Sequence, residues 1–341
     1  MTQPHLLGLF HRHVSGDEAL LKLARRRFEE AGLGAEFYPA TIAELEWSWK
    51  LRPRSGTAHV AHLPRHWDLR VASDRRRIVE FADAFRGRLY GLTIHDQAAW
   101  ESDAPAVLQA IASLDEQLDK LDHPPFVFIE YAAGGGLGSF ARLFTGTPDC
   151  RRVSACIDIG HVGIFNAQRW FRLRHPGRDV WDLRPDSAEL PMLMDDLQNA
   201  VAAAVPAVLD LIGTLGPLGK PLHFHLHDGH PLSTESEYGV RDHLSFLRRI
   251  PIPFEREGRR SLPLLYGPAG LGRIVRAARA SASGERLSFM LEIHYVPERE
   301  PLGAHADLFT HWHDLANAER TNRWLSVLLE NHQLLRSLVS D

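Results

Sequence analysis

The alternation of short β-rich runs with helix-period segments constrains this chain more than any other feature of its 341 residues. Runs of strand character fall at 5–10 (HLLGLF), 35–38 (AEFY), 58–62 (AHVAH), 89–94 (LYGLTI), 126–130 (FVFIE), 153–158 (VSACID), 221–226 (PLHFHL) and 287–292 (LSFMLE). Segments with apolar residues at helical spacing lie between them, among them 17–31, 73–85, 105–121, 188–214 and 271–282. An amphipathic run through Trp324, Leu328, Leu329 and Leu335 follows. A strand followed by a helix, eight times over, predicts an α/β protein whose parallel strands close into a (β/α)8 barrel rather than an open sheet.

No internal repeat or low-complexity linker divides the chain, so residues 1–341 read as one domain, with the barrel over about 5–300 and closing helices over about 302–338. Two connections are long, 162–220 and 229–286. In such a barrel, extra length belongs over the C-terminal face, as a lid or a substrate wall.

The residues that close the strands carry the chemistry. The third strand finishes at His62, the fourth at His95, the fifth at Glu130, the sixth at Asp158 with His161 just beyond, the seventh at His225 and the eighth at Glu292. Each is a metal-ligand type. Side chains alternate across a strand, so Asp158 shares a face with Cys156 and Ser154, while Val153, Ala155 and Ile157 turn towards the helices. By the same parity His223, His225 and His227 share the interior face, with Phe224 and Leu226 outside.

Carboxylates and imidazoles gathered at one barrel mouth are costly to bury unless a cation pairs with them. A divalent ion is therefore expected. Glu130, Asp158, His225 and Glu292 form a mostly oxygen set that suits Mn²⁺, Mg²⁺ or Co²⁺, and His62, His95 and His161 shift the balance towards Zn²⁺ or Fe²⁺. His5, His11, His13, His311, His313 and His332 lack such a setting and read as structural or surface residues.

The motifs EYAAGGG, CIDIGH, HFHLHD and FMLEIH, in that order on successive strands, resemble those of the xylose-isomerase-like TIM-barrel superfamily, over essentially residues 5–300. That superfamily contains sugar phosphate isomerases and epimerases together with apurinic endonucleases. The resemblance implies a shared metal set at Glu130, Asp158, His225 and Glu292, with Glu130 and Glu292 as the acid/base pair of an epimerase and His161 touching substrate. The endonuclease branch adds metal-binding histidines that match His62 and His95, and a D-x-H pair after the seventh strand. Asp228 and His230 stand closer to His225 than that pair does, and Asp242 and His243 lack its spacer, so both remain candidates for a third metal position.

Composition narrows the partners. A net charge of −4 supplies no global basic field, which makes nucleic acid an unlikely partner, and the clusters at Arg25–Arg27 and Arg75–Arg77 read as solvated helix faces. Two cysteines, Cys150 and Cys156, give no disulfide framework and suit a cytoplasmic chain. The apolar stretch 201–218 is broken by Pro206, Asp210 and Pro217, which argues against a membrane span. The glycines at 134–136 and 138 lack GxGxxG spacing, so no nucleotide cofactor is expected; they read as a tight turn beside Glu130. Gly267, Gly270 and Gly272 suit a helix start or an anion site equally. Trp67, Trp170, Phe171 and Trp181 could wall a pocket, or simply pack beneath loops.

Three functions follow as expectations. The first is an isomerase or epimerase acting on a sugar, sugar phosphate or related polyol, with His95 and His161 on the substrate and Glu130 and Glu292 moving a proton at carbon. The second, motivated by His62 and His95, is a di- or trinuclear metalloenzyme, an endonuclease-like phosphodiester hydrolase or an oxidative enzyme. The third, a non-catalytic metal-dependent sensor, has nothing in the chain to favour it. Oligomerisation is left open.

Overall fold

Eight parallel strands close on themselves, each paired with the next in chain order and the last with the first: β1 (His5–Leu9), β2 (Gly34–Phe37), β3 (Val60–His62), β4 (Gly91–His95), β5 (Phe126–Glu130), β6 (Val153–Asp158), β7 (Leu222–Leu226) and β8 (Leu287–Leu291). The expected (β/α)8 TIM barrel is the observed fold. It is seen in a computed structural model that describes residues 3–10, 17–54, 58–180, 183, 188–228, 266–293 and 317–340, with the short pairs 235–236, 239–240, 255–256 and 259–260. Those pairs form two antiparallel ribbons within the long connection before β8.

Helices fill the outer layer: α1 (Glu18–Ala31), α2 (Ile42–Lys50), α3 (Ala72–Ala84), α4 (Ala104–Leu118), α5 (Leu137–Thr145), α6 (Ile159–Arg174), α7 (Leu190–Ala202), α8 (Ala204–Leu215), α9 (Gly267–Ser281) and α10 (Asn317–Ser340). Side-chain caps fix where several of them begin. Asp17 accepts from Leu20 N at the start of α1, and Thr41 accepts from Glu44 N at the start of α2. The single helical stretch expected over 188–214 is two helices, α7 and α8, meeting at Ala203. The connection expected from 162 instead opens with most of α6, so Trp170 and Phe171 lie on a helix. Phe171 and Trp67 are buried in packing rather than lining a pocket, and Trp181 lies outside the described residues.

The run Pro191–Leu218 is long and apolar enough by composition to cross a membrane. Its Val208, Leu211, Ile212 and Leu215 are instead buried in the same core as the barrel strands, which is how an outer barrel helix uses apolar residues.

Strand parity divides the core. Ala35, Phe37, Ala61, Leu92, Val127, Ala155, Phe224 and Phe289 face outward and merge with helix residues into one large cluster. Leu7, Leu9, Val60 and Met290 form a separate small group on the inward positions. Other inward residues are polar: Glu36, Thr93, His223, His225 and Ser288 are all fully buried. Gly91 belongs to this inner wall for a steric reason, since a Cβ there would come within 2.3 Å of the Phe128 ring.

Candidate metal centre

The inward faces of β2 to β8 end in polar side chains at or just beyond the last strand residue, and several of these ends converge. Register places His95 beside Glu130 across β4 and β5, and Asp158 beside His225 across β6 and β7. Ligand atoms of Glu130, Asp158, His225 and Glu292 all lie within 4.8 Å of one another, and all four residues are buried. The structure thus gathers the four strand-end residues singled out in the sequence.

Four further groups among the described residues share members with the first. Cys156, His223 and His225 form one, Glu36, His62 and His225 a second, His62, His95 and Glu130 a third, and Asp158, His161 and His227 the fourth, each with ligand atoms within 4.8 Å. Glu130 Oε2 stands 2.7 Å from His62 Nε2, 3.5 Å from His95 Nε2 and 3.6 Å from His225 Nδ1. Glu292 Oε2 lies 3.3 Å from His225 Nδ1, and its Oε1 accepts from the Tyr38 hydroxyl at 2.8 Å.

The D-x-x-H spacing has a local cause. Asp158 is both the last residue of β6 and the N-cap of α6, accepting from His161 N at 2.9 Å through Oδ1. One helical turn therefore returns His161 to the carboxyl that caps it. Oδ1 also lies 3.1 Å from His227 Nε2, and Oδ2 lies 3.8 Å from His161 Nε2.

A cation fits this donor set. Asp158 Oδ2 and His225 Nδ1 are buried without a hydrogen bond among the described residues, and both belong to the central group. Buried polar atoms left in that state imply an absent partner. Electrostatics agrees. Burial alone would raise the Glu130 carboxyl, yet His95, His225 and His62 hold it well below the usual range. Burial lowers the His95 imidazole to about 3, against the opposing pull of Glu130, so its ring is neutral and keeps a lone pair at neutral pH.

Asp228 stands apart from these groups; its carboxyl accepts from Tyr266 N and Gly267 N and so ties the end of β7 to the start of α9. His230, Asp242 and His243 lie outside the described residues. Burial pushes the Cys156 thiol well up, which removes it as a nucleophile.

Four residues in or beside the site have no functional role predicted from the sequence. Glu36 is fully buried mid-strand in β2, between His223 and His225. Tyr38 follows on the same face. An acidic residue inside an otherwise apolar strand, as in AEFY, is the signal for both. Strand parity puts His227 on the interior face without giving it a role, and Asp96 follows the β4 histidine directly. Asp96 Oδ1 accepts from Ala132 N and Ala133 N, and burial raises its carboxyl to about 7 despite those two bonds.

His227 reaches Asp158 only because residue 160 is glycine: a Cβ there would lie 1.9 Å from His227 Cε1. Gly160→Ala is therefore expected to expel the His227 ring from the site and to lower stability by about 1–3 kcal/mol. Thermal melting together with chelator-competition titration of the purified variant checks this. Unchanged melting and unchanged cation binding would contradict the packing described.

No protein-family model matches the sequence, and no curated protein matches it either. A solved structure described as "The crystal structure of AsfvAP:AG" aligns over 99% of this chain and 100% of that chain, with a TM-score of 0.53 and 14% sequence identity. At that identity the likeness shows the barrel fold alone.

Proposed function

We propose that the chain is a multinuclear metal-dependent phosphoester hydrolase, of the xylose-isomerase-like kind with endonuclease-type histidines. The observation that carries this reading is the crowding of Glu130 Oε2 by His62, His95 and His225. Three imidazoles around one carboxylate oxygen suit a ligand bridging two cations. They leave little room for the isomerase role, in which Glu130 moves a proton at a substrate carbon and must stand free to reach it. The membership of Asp158 in two groups, one with His161 and His227 and one with Glu130, His225 and Glu292, likewise suits a residue shared by neighbouring ion positions.

His62 and His95 with Glu130 would hold one ion, Glu130, Asp158, His225 and Glu292 a second, and Asp158, His161 and His227 a third. Divalent ions so placed supply Lewis acidity towards phosphoryl oxygens and make water a nucleophile near neutral pH. The protein's own part is to orient. Tyr38 holds Glu292 through Oε1, His62 is fixed by Leu63 O at its Nδ1, and the α6 cap fixes Asp158. A groove of about 620 Å³ lined by Tyr38, Trp47, His62 and Arg65 opens beside these groups, offering a cation to an ester's anionic oxygen. A net charge of −4 argues for a locally held phosphoester rather than a grip spread over the surface.

Two to three equivalents of Zn²⁺, Mn²⁺ or Fe²⁺ are expected in protein purified without a histidine tag and assayed by mass spectrometry of the elements. Cation-dependent hydrolysis of bis(p-nitrophenyl) phosphate is expected alongside, with an abasic duplex testing whether large substrates enter. One equivalent, no phosphoester cleavage, and solvent deuterium entering a ketose or aldose carbon would replace this reading with the isomerase one.

A further inference from the structure

Glu36 sits among the metal-ligand candidates without belonging to the four-residue central group. It projects inward from β2 and is fully buried. Its two oxygens are divided between two rings on β7: Oε2 lies 3.0 Å from His223 Nε2 and Oε1 lies 3.1 Å from His225 Nε2. β2 and β7 are not neighbours in the barrel; β1 and β8 stand between them. One carboxylate therefore reaches across the interior to hold two imidazoles from another strand.

The donor and acceptor roles follow without ambiguity once Glu36 is ionised. A carboxylate only accepts, so both Nε2 atoms must carry the hydrogen. A neutral ring protonated at Nε2 presents a lone pair at Nδ1. For His223 that lone pair faces the Ser288 hydroxyl at 2.7 Å, which can donate to it. For His225 it faces Glu130 Oε2 and Glu292 Oε2 at 3.6 and 3.3 Å, acceptors that cannot donate when ionised. Ser288, His223 and Glu36 thus form a chain of donations that leaves His225 Nδ1, at the middle of the central group, for the proton of the stripped protein or for the cation that displaces it.

We propose that Glu36 is a positioning residue for the metal centre: it fixes His225 in the Nε2–H tautomer so that Nδ1 is offered to a divalent ion shared with Glu130, Asp158 and Glu292. His223 and Ser288 brace the carboxylate and confine it to one orientation. Carboxylate support behind a ligating histidine orients the ring and raises its basicity, and losing it lowers metal affinity by about 10- to 100-fold. The inference rests on the reading of the central group as a metal centre.

The test uses Co²⁺ as both ligand and probe, with the full-length chain stripped by chelator. Wild type is titrated first, by absorption in the visible d–d region and by competition with a chelator of known affinity. Absence of Co²⁺ binding by wild type overturns the metal reading and this inference together. Where wild type binds, Glu36→Gln is expected to bind about 10- to 100-fold more weakly with a changed absorption band, while its far-ultraviolet circular dichroism is retained. Glu36→Gln binding with wild-type affinity and an identical spectrum overturns this inference and leaves the metal reading standing.

A second measurement needs no Glu36 variant to fold. In ¹⁵N-histidine-labelled wild type, with His225→Asn to assign the signal, His225 is expected to show a protonated Nε2 in the Cd²⁺-loaded state and coupling of ¹¹³Cd to Nδ1. A protonated Nδ1 with Nε2 on the ion overturns the proposal.

Discussion

Glu130→Gln is expected to lose at least one equivalent of bound cation and to lower kcat/KM for a phosphodiester by about 10³-fold or more, because a ligand shared between ions supports both the Lewis acid and the nucleophile. The amide keeps the volume of the side chain and can donate to His62 Nε2, whose ring hydrogen is held on Nδ1 by Leu63 O, so the fold is expected to survive; circular dichroism and melting check that. What it cannot keep is the negative charge that His95, His225 and His62 converge on. His161→Ala touches only the group built on Asp158 and should cost less. Elemental analysis and kinetics on the same preparations rank the two. A Glu130→Gln protein that holds the full cation complement, with kcat/KM within about tenfold of wild type, would remove the bridging role and the multinuclear reading with it.

The barrel and the identity of the convergent residues were legible in the sequence for one reason: both follow from strand position. FVFIE and VSACID declare their ends by the change from apolar to acidic, and parity then puts Glu130 and Asp158 on the interior face. The cooperation among these residues was not legible. His62 and His95 suggested a second ion, but their meeting on one oxygen of Glu130 depends on strand tilt and stagger, which no pattern of residues encodes. Glu36 sits mid-strand, where a half-exposed strand would carry a solvent-facing residue, and only the closure of the barrel turns that position inward. His227 depends on a missing methyl group at Gly160, on a helix whose first residue follows the ligand directly. The place of Asp228 is set by two backbone N–H groups of a segment 38 and 39 residues later in the chain, which no local pattern announces.

Metal affinity should rise with pH, by about tenfold per unit while His225 stays protonated in the stripped protein, one proton being released for each ion bound in the central group. The proton comes from His225. Burial lowers that imidazole, but Cys156 and the carboxylates of Glu36, Glu130 and Glu292 outweigh it and raise it well above its usual value. A cation at Nδ1 must displace that proton. His95 adds nothing to the slope, since its ring, at about 3, is neutral throughout, and neither does Glu130, held ionised by its neighbours. The sign reverses for the chelated protein. A histidine raised in the folded state contributes stability that is complete below its unfolded value near 6.5 and is lost as pH rises through the folded value. Stripped protein should therefore melt at falling temperature as pH is taken upward from about 7, whereas loaded protein gains stability as its cation binds more tightly. Calorimetric titration at several pH values, paired with melting curves in chelator and in saturating Zn²⁺, reads both slopes. A flat affinity profile across those pH values would mean that His225 enters the complex already neutral, and that the carboxylates around it govern neither its proton nor the cation that replaces it.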